Sequence, residues 1–421
     1  MRGVIEGNTA AEIAGSVRAL IQTGALSEGD ALPAIRDLAA RAGVNRNTVA
    51  AAYAQLAAAG VVQTRRRGGT VVLGVPRSAG EGHAASDAAI NLASGNPDRA
   101  LLPSPAAAIA GYAAPLYGEP EVDPALDPLA ADGIPAGHRL VLTHGAADGM
   151  ERLLHLYLAR GDRVAVEDPG YLAAIGMLRV NGYRAAPVPV DAAGMSAAGL
   201  RAALDAGARA VICTPRAHNP TGGGVTRERA AELRAVLTAY PAVTVIEDDH
   251  FSMISARRYH RITPEGHPRW AVVRSVAKFL GPDLRLALVR ADPVTADRLA
   301  ARLAAGSGWV SHLLQHCVAR LWDAVPFDRV RDTYAGRIRL LTDALGERGI
   351  GVDPRTDGLN VWIPVPSEAE VVAGLAARGW VVRPGRDFAA GGAVAPAIRV
   401  TTSTITAAQA TGFAAGLATL L

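Results

Sequence analysis

One primary amine stands out among the side chains. Lys278 is the sole lysine, and the other 42 of the 43 Lys and Arg residues are arginine. Arginine holds carboxylates and phosphates at least as well as lysine, but its guanidinium stays protonated and cannot form an imine with an aldehyde. The neighbours of Lys278 extend that chemistry. Ser275 and Arg285 supply a hydroxyl and a charge-assisted fork for an anion. Asp248 ends an apolar run, where low dielectric strengthens its pairing with a cation. Gly145-Ala146-Ala147 opens a helical pattern with Met150, Leu153, Leu154 and Tyr157 inward, so backbone N–H groups and the helix dipole face an anion.

These are the parts that pyridoxal 5'-phosphate (PLP) requires: an amine for its aldehyde, a carboxylate for its pyridine nitrogen, a donor to its ring oxygen, an aromatic face and a phosphate cradle. The sequence offers a candidate for each. The elements that must position them alternate short β-favouring runs, Leu140–Thr143, Arg163–Val166, Ala210–Thr214, Val243–Glu247, Ala271–Ser275 and Leu286–Val289, with Ala-rich helical stretches. Such alternation predicts an α/β domain with a mostly parallel sheet, whose ligands gather beyond the C-terminal strand ends. Gly145, Tyr171, Asn219, Asp248 and Lys278 fall there.

The first 75 residues read differently. They hold eight Arg against five Asp and Glu, so +3 of the formal +4 charge sits in a small part of the chain. Ile13, Val17, Leu20 and Ile21 make one helical stripe, a second helix is expected from Pro33 to a stop at Gly43, and Asn45 can cap a third. In that third helix Val49, Tyr53 and Leu56 face inward, which displays Arg46, Asn47 and Thr48 on the first turn. Val61-Val62 and Thr70–Val72 read as strands joined through Arg65-Arg66-Arg67-Gly68-Gly69, a basic wing. A polar first turn can reach base edges while arginines hold phosphates.

Residues 11–73 resemble a GntR-type winged helix, through Leu32-Pro33-Ala34-Ile35-Arg36-Asp37-Leu38-Ala39, Gly43-Val44-Asn45-Arg46-Asn47-Thr48-Val49 and Arg67-Gly68-Gly69-Thr70. The resemblance implies DNA contacts from Arg36, Arg46, Asn47, Thr48, Arg65, Arg66, Arg67 and Gly69. Ala34 stands where that family usually has serine. Residues 91–421 resemble a fold-type I, class I/II aminotransferase domain with a smaller C-terminal α+β subdomain. The carrying motifs are Ser94-Gly95-Asn96-Pro97-Asp98, Leu116-Tyr117-Gly118, Glu167-Asp168-Pro169-Gly170-Tyr171, His218-Asn219-Pro220-Thr221-Gly222, Glu247-Asp248-Asp249-His250 and Ser275 through Arg285.

By that resemblance Lys278 forms the Schiff base, Asp248 pairs with the pyridine nitrogen, Tyr171 stacks on the ring and Asn219 reaches the ring oxygen. Ser275, Arg285 and Gly145, Ala146 and Ala147 hold phosphate, joined by Tyr117 from a second subunit. Gly95, Asn219 and Arg399 surround a substrate whose carboxylate Arg399 clamps. His250 stands where many relatives place a tyrosine, and its ordinary pKa would let it titrate near neutral pH. Tyr117 to Val141 is shorter than the family pattern, which removes room for the usual helix.

The two resemblances combine as in the MocR regulators: a winged helix over 1–73, a linker over 74–89 rich in Gly, Ser and Pro, and a PLP-binding domain over 90–421. What they imply is a head-to-tail homodimer on double-stranded DNA that senses an amine, an amino acid or PLP itself through an aldimine at Lys278. A working aminotransferase with an appended winged helix is the alternative, and the intact residue set leaves both open. Composition sets bounds: half the residues are hydrophobic and 19% charged, with no apolar run of membrane-spanning length, so a cytoplasmic protein is expected. Cys213 and Cys317 read as small buried hydrophobes, and no metal site is expected, although His312 and His316 share a helical face.

Overall fold

Three short helices form in the N-terminal module, each with one apolar stripe and two of them with a side-chain cap at the start. In the computed structural model, which describes residues 4–65, 69–73, 81–82, 89–392 and 394–421, α1 (Ala10–Gln22) opens with a capping box between Thr9 and Glu12. Helix α2 (Ile35–Ala42) begins two residues beyond Pro33, because Ala34 is still extended and offers no side-chain cap. It ends at Gly43, whose φ of 67° is the left-handed conformation glycine accepts most readily. Asn45 starts α3 (Arg46–Ala58) by accepting a hydrogen bond from the Asn47 amide at 2.8 Å.

Ile13, Val17, Leu38, Val49 and Leu56 meet in this module's own core. The Tyr53 hydroxyl reaches out of it to donate to the Pro33 carbonyl at 2.8 Å. Strands β1 (Val62–Arg65) and β2 (Gly69–Val72) pair antiparallel from Val62↔Val72 to Arg65↔Gly69. The wing residues Arg66 and Arg67 lie outside the described residues, as does the side chain of Arg65; most of the linker over 74–89 lies outside them too.

The large unit, whose first strand is β3 (Ile90–Asn91), is organised by one eight-stranded sheet. Its strands are β4 (Arg139–Thr143), β5 (Arg163–Asp168), β6 (Arg184–Asp191), β7 (Gly194–Met195), β8 (Ala208–Cys213), β9 (Thr244–Asp248), β10 (Trp270–Ser275) and β11 (Ala287–Ala291), in the order β4-β11-β10-β9-β8-β5-β6-β7. The run β5-β8-β9-β10 is parallel, and β11 is antiparallel to both of its neighbours. Every residue of β9, β10 and β11 is buried, as expected where helices cover both faces of a sheet. Between Tyr117 and His138 the described chain forms only a 3-10 turn, Pro124–Leu126, in place of a longer helix.

A second, smaller sheet closes the domain. It orders β12 (Asn360–Pro364), β15 (Ala397–Thr401) and β14 (Arg383–Pro384), while β13 (Trp380–Val381) pairs with β3. Val361, Ile363, Ile398 and Val400 pack with Phe413 and Leu417 of the helix Ala407–Ala418. Emptying the fully buried Phe413 site to alanine would cost about 3–5 kcal/mol. Arg399 lies at the centre of the middle strand, opposite Trp362 on one side and Arg383 on the other.

Candidate functional site

The sheet brings the chemistry-bearing residues to one end, around a cavity of about 260 Å³ lined by Lys278, Asp248, His250, Tyr171, Asn219, Ser275, Arg285, Ala146 and Ala147, among others. Lys278 follows β10, and its Nζ donates to the Gly95 carbonyl at 2.9 Å. Burial lowers the pKa of this amine, and Arg399 adds to that effect against the opposing charges of Glu81 and Asp248. More of the nucleophilic, neutral form is therefore present near pH 7.

Asp248 is the last residue of β9 and is buried. Its Oδ1 has no hydrogen-bond partner among the described residues. Burial first, then the charges of Asp249 and Glu167, push its pKa up to about 7 despite the nearby Lys278. His250 Nδ1 sits 3.7 Å from Asp248 Oδ2. This is no ion pair at neutral pH, because burial, helped by the charge of Lys278, pushes the imidazole down to about 4. The near-neutral titration expected for His250 is thus removed by its surroundings. Its ring lies at 13° to that of Tyr171, with centroids 6.1 Å apart.

Side chains alternate along a strand, so the neighbours of Asp248 face other partners. Asp249 accepts two bonds from Arg216, at 2.7 and 2.8 Å, and one from Arg274 at 2.8 Å. Glu247 accepts from the Tyr259 and Thr263 hydroxyls at 3.0 and 2.6 Å. These bonds fix the end of β9 and with it the position of the unpaired carboxylate.

The anion cradle is built at the start of α4 (Ala146–Tyr157). Gly145 occupies its cap position with φ 91° and no side-chain cap, which leaves the amides of the first turn without a side-chain acceptor. Arg285, itself left-handed at φ 43°, donates through Nη2 to the His144 carbonyl at 3.2 Å. A Cβ on Gly145 would come within 2.9 Å of that Nη2, so only glycine lets the guanidinium lie across the helix start. Ser275 Oγ accepts from the Ala277 amide at 3.2 Å, leaving its own proton to donate. Tyr117 does not line this cavity: it is 91% exposed, with its ring edge-on to Trp309.

Arg399, fully buried, reaches the same end from β15. Its Nη1 donates to Asn219 Oδ1 at 3.0 Å and its Nη2 to the Ala93 carbonyl at 2.7 Å. A residue that sequence reasoning missed completes the group. Glu81, from the segment read as linker, accepts from Arg399 Nη1 at 2.8 Å and from Asn219 Nδ2 at 2.5 Å. A lone acidic residue between glycines carries no periodic signal, so only its contacts reveal it.

On the N-terminal module Arg36, Arg46 and Asn47 are exposed and Thr48 is half-buried, with the last three on the first turn of α3. Among the described residues no three His, Cys, Asp or Glu converge as a metal site, and no helix is long and apolar enough to cross a membrane. Both cysteines are free and buried.

Fold and site together define a winged helix joined to a domain of aminotransferase architecture. Residues 9–72 match the family described as bacterial regulatory proteins, gntR family, and residues 87–417 match aminotransferase class I and II. The chain belongs to the MocR-type family, in which a gntR-type reader precedes a class I and II aminotransferase domain. Among similar proteins, the vitamin B6 salvage pathway transcriptional repressor PtsJ of Salmonella typhimurium is 44% identical, covering 98% of this chain and 99% of its own. The pyridoxine biosynthesis regulator PdxR of Corynebacterium glutamicum is 30% identical over 55% of this chain and 54% of its own. The solved α-aminoadipate aminotransferase LysN of Thermus thermophilus superposes with a TM-score of 0.70 at 22% identity, covering 80% of this chain and 92% of that one, a likeness of fold.

Proposed function

We propose that this chain is a PLP-dependent, DNA-binding transcription regulator whose aminotransferase-like domain binds PLP at Lys278 and whose winged helix reads double-stranded DNA. The observation that carries the reading is Asp248 Oδ1, a buried carboxylate oxygen without a donor, in the cavity that also holds Lys278 and the open start of α4. A buried acceptor of this kind is costly unless a donor arrives, and a protonated pyridine nitrogen is such a donor. The Gly145–Arg285 contact fits a phosphate in the same way. When bound, PLP supplies an aldehyde that reacts with a primary amine.

Each side chain then has a physical task. Lys278 presents its amine in the neutral form that burial favours. Asp248 would pair with a protonated ring nitrogen, and Tyr171 would lie against the ring. Ser275, Arg285 and the amides of Ala146 and Ala147 would hold the phosphate, with Gly145 clearing room. Asn219 would serve the ring oxygen, His250 stays uncharged beside Asp248, and Gly95, Asn219 and Arg399 would receive an amine ligand. Arg36, Arg46, Asn47, Thr48 and the wing from Arg65 to Gly69 contact DNA.

The reader spans 1–73, the linker 74–89 and the PLP-binding domain 90–421. The working form is a cytoplasmic head-to-tail homodimer in which Tyr117 serves its partner's phosphate site. PLP is itself the regulatory signal, a choice supported by the near full-length similarity to a repressor of vitamin B6 salvage. A mobility-shift assay on the promoter of its own gene, at fixed salt, tests this. PLP should change the apparent affinity by about fivefold or more, a common size for coupling between two sites. Binding that is specific yet indifferent to PLP would reject the sensor, and no specific binding would reject the regulator.

A further inference from the structure

We infer that Glu81 is a built-in occupant of the carboxylate subsite at Arg399, so that an α-amino acid or any other small carboxylate enters only by displacing the chain's own side chain. The inference deepens the proposed function and rests on it for the identity of the cofactor. The two oxygens of Glu81 are divided between Arg399 Nη1, at 2.8 Å, and Asn219 Nδ2, at 2.5 Å. A free amino acid would bring the same group, with the same charge, to the same two donors.

The surroundings are shaped around this carboxylate. Arg399 is fully buried, and its Nη2 is taken by the Ala93 carbonyl, so Glu81 meets it through Nη1. A Cβ on Gly95, whose φ is 64°, would collide with Glu81 Oε2. Glycine there serves the docked glutamate directly. Burial alone would raise the pKa of Glu81, yet the charges of Arg399 and Lys278 and the bonds from Arg399 and Asn219 outweigh it and hold the carboxyl below its ordinary range. It is ionised at neutral pH and remains a full competitor.

Tethering decides how strong that competition is. A group carried on the same chain acts at an effective concentration on the order of millimolar, so a free amino acid well below that level loses to Glu81. An amine without a carboxylate makes no claim on Arg399 and escapes the competition. The ligand class that the closed site favours is therefore PLP alone or a simple amine.

The test compares L-alanine with ethylamine, the same amine without its carboxyl group, on PLP-loaded dimer of the natural sequence and of Glu81→Ala, following the visible band of the bound cofactor. Glu81→Ala should tighten the apparent Kd for L-alanine by about tenfold or more and leave that for ethylamine within about threefold. Equal L-alanine affinity in the two proteins overturns the inference, as does an equal gain for both ligands, which would mean general opening of the cavity. Should Glu81→Ala fold poorly, Glu81→Gln, which keeps the volume and removes the charge, carries the same comparison. Maleate binding to cofactor-free protein, read by calorimetry, separates this inference from the cofactor assignment. About tenfold tighter binding in the variant supports Glu81 as occupant even if no visible band forms in either protein, and unchanged binding overturns it.

Discussion

Asp248 and Asp249 are adjacent in the chain and opposite in electrostatic character. Asp249 is held by Arg216 and Arg274, whose bonds and charges outweigh its burial and keep its carboxyl below the ordinary range, while Asp248 is pushed from 3.8 up to about 7. A raised folded pKa favours the fold below pH 3.8, and that contribution disappears as the pH rises through about 7. Asp248→Asn should therefore make the cofactor-free protein more stable than the natural one at pH 8, by at most about 4 kcal/mol, with the gap closing toward pH 5. Asp249→Asn should do the reverse at pH 8, costing about 3–5 kcal/mol by stranding the buried Arg274 and the half-buried Arg216. Thermal melts across pH 5 to 8 decide both; a Tm for Asp248→Asn that stays below the natural protein's at every pH would falsify the first.

Lys278→Ala should leave a folded protein that cannot link PLP covalently, with loss of the visible absorption band. Lys278→Arg should behave alike, since a guanidinium keeps the charge but lacks the reactive amine. The spectrum of purified protein mixed with PLP is the measurement. A band surviving in either variant would remove Lys278 from its assigned role.

Gly145→Ala places a methyl group within 2.9 Å of Arg285 Nη2 on a backbone whose φ is 91°. Displacing the guanidinium from the start of α4 should weaken PLP binding by about tenfold or more. Inorganic phosphate, used as a competitor, should lose affinity in parallel. Fluorescence titration of the cofactor-free protein reads both, and unaltered affinities would place the phosphate elsewhere.

Arg46→Ala and Asn47→Ala change exposed residues on the first turn of α3, outside its buried stripe. Each should leave Tm nearly unchanged and weaken specific DNA binding by about 1–3 kcal/mol if it touches a base edge. An arginine contacting only phosphate would instead weaken all sequences alike and flatten the salt dependence. Binding isotherms on specific and scrambled duplexes at several salt concentrations distinguish the two.

The order of the site residues was legible because PLP chemistry demands particular residue types and an α/β sheet places them at successive strand ends. Lys278, Asp248, Asn219, Tyr171 and Arg285 meet in one cavity for that reason. What sequence could not supply were consequences of burial and of distant pairing. His250 reads as a neutral-pH switch until its burial lowers it to about 4. Glu81 lies in a segment without periodicity, and its partner Arg399 is 318 residues away. Pro33 suits a first helical position, yet the extended Ala34 delays α2 to Ile35.

The use of arginine for every other basic side chain except histidine gives this protein a chemical handle. An amine-directed acylating reagent meets one side-chain target, and that target is half-buried in the cavity and tied to the Gly95 carbonyl. A bulky succinimidyl ester must reach it past the cavity lining, so the labelling rate becomes a stopwatch for breathing of the aminotransferase-like domain, read from one tryptic peptide by mass spectrometry.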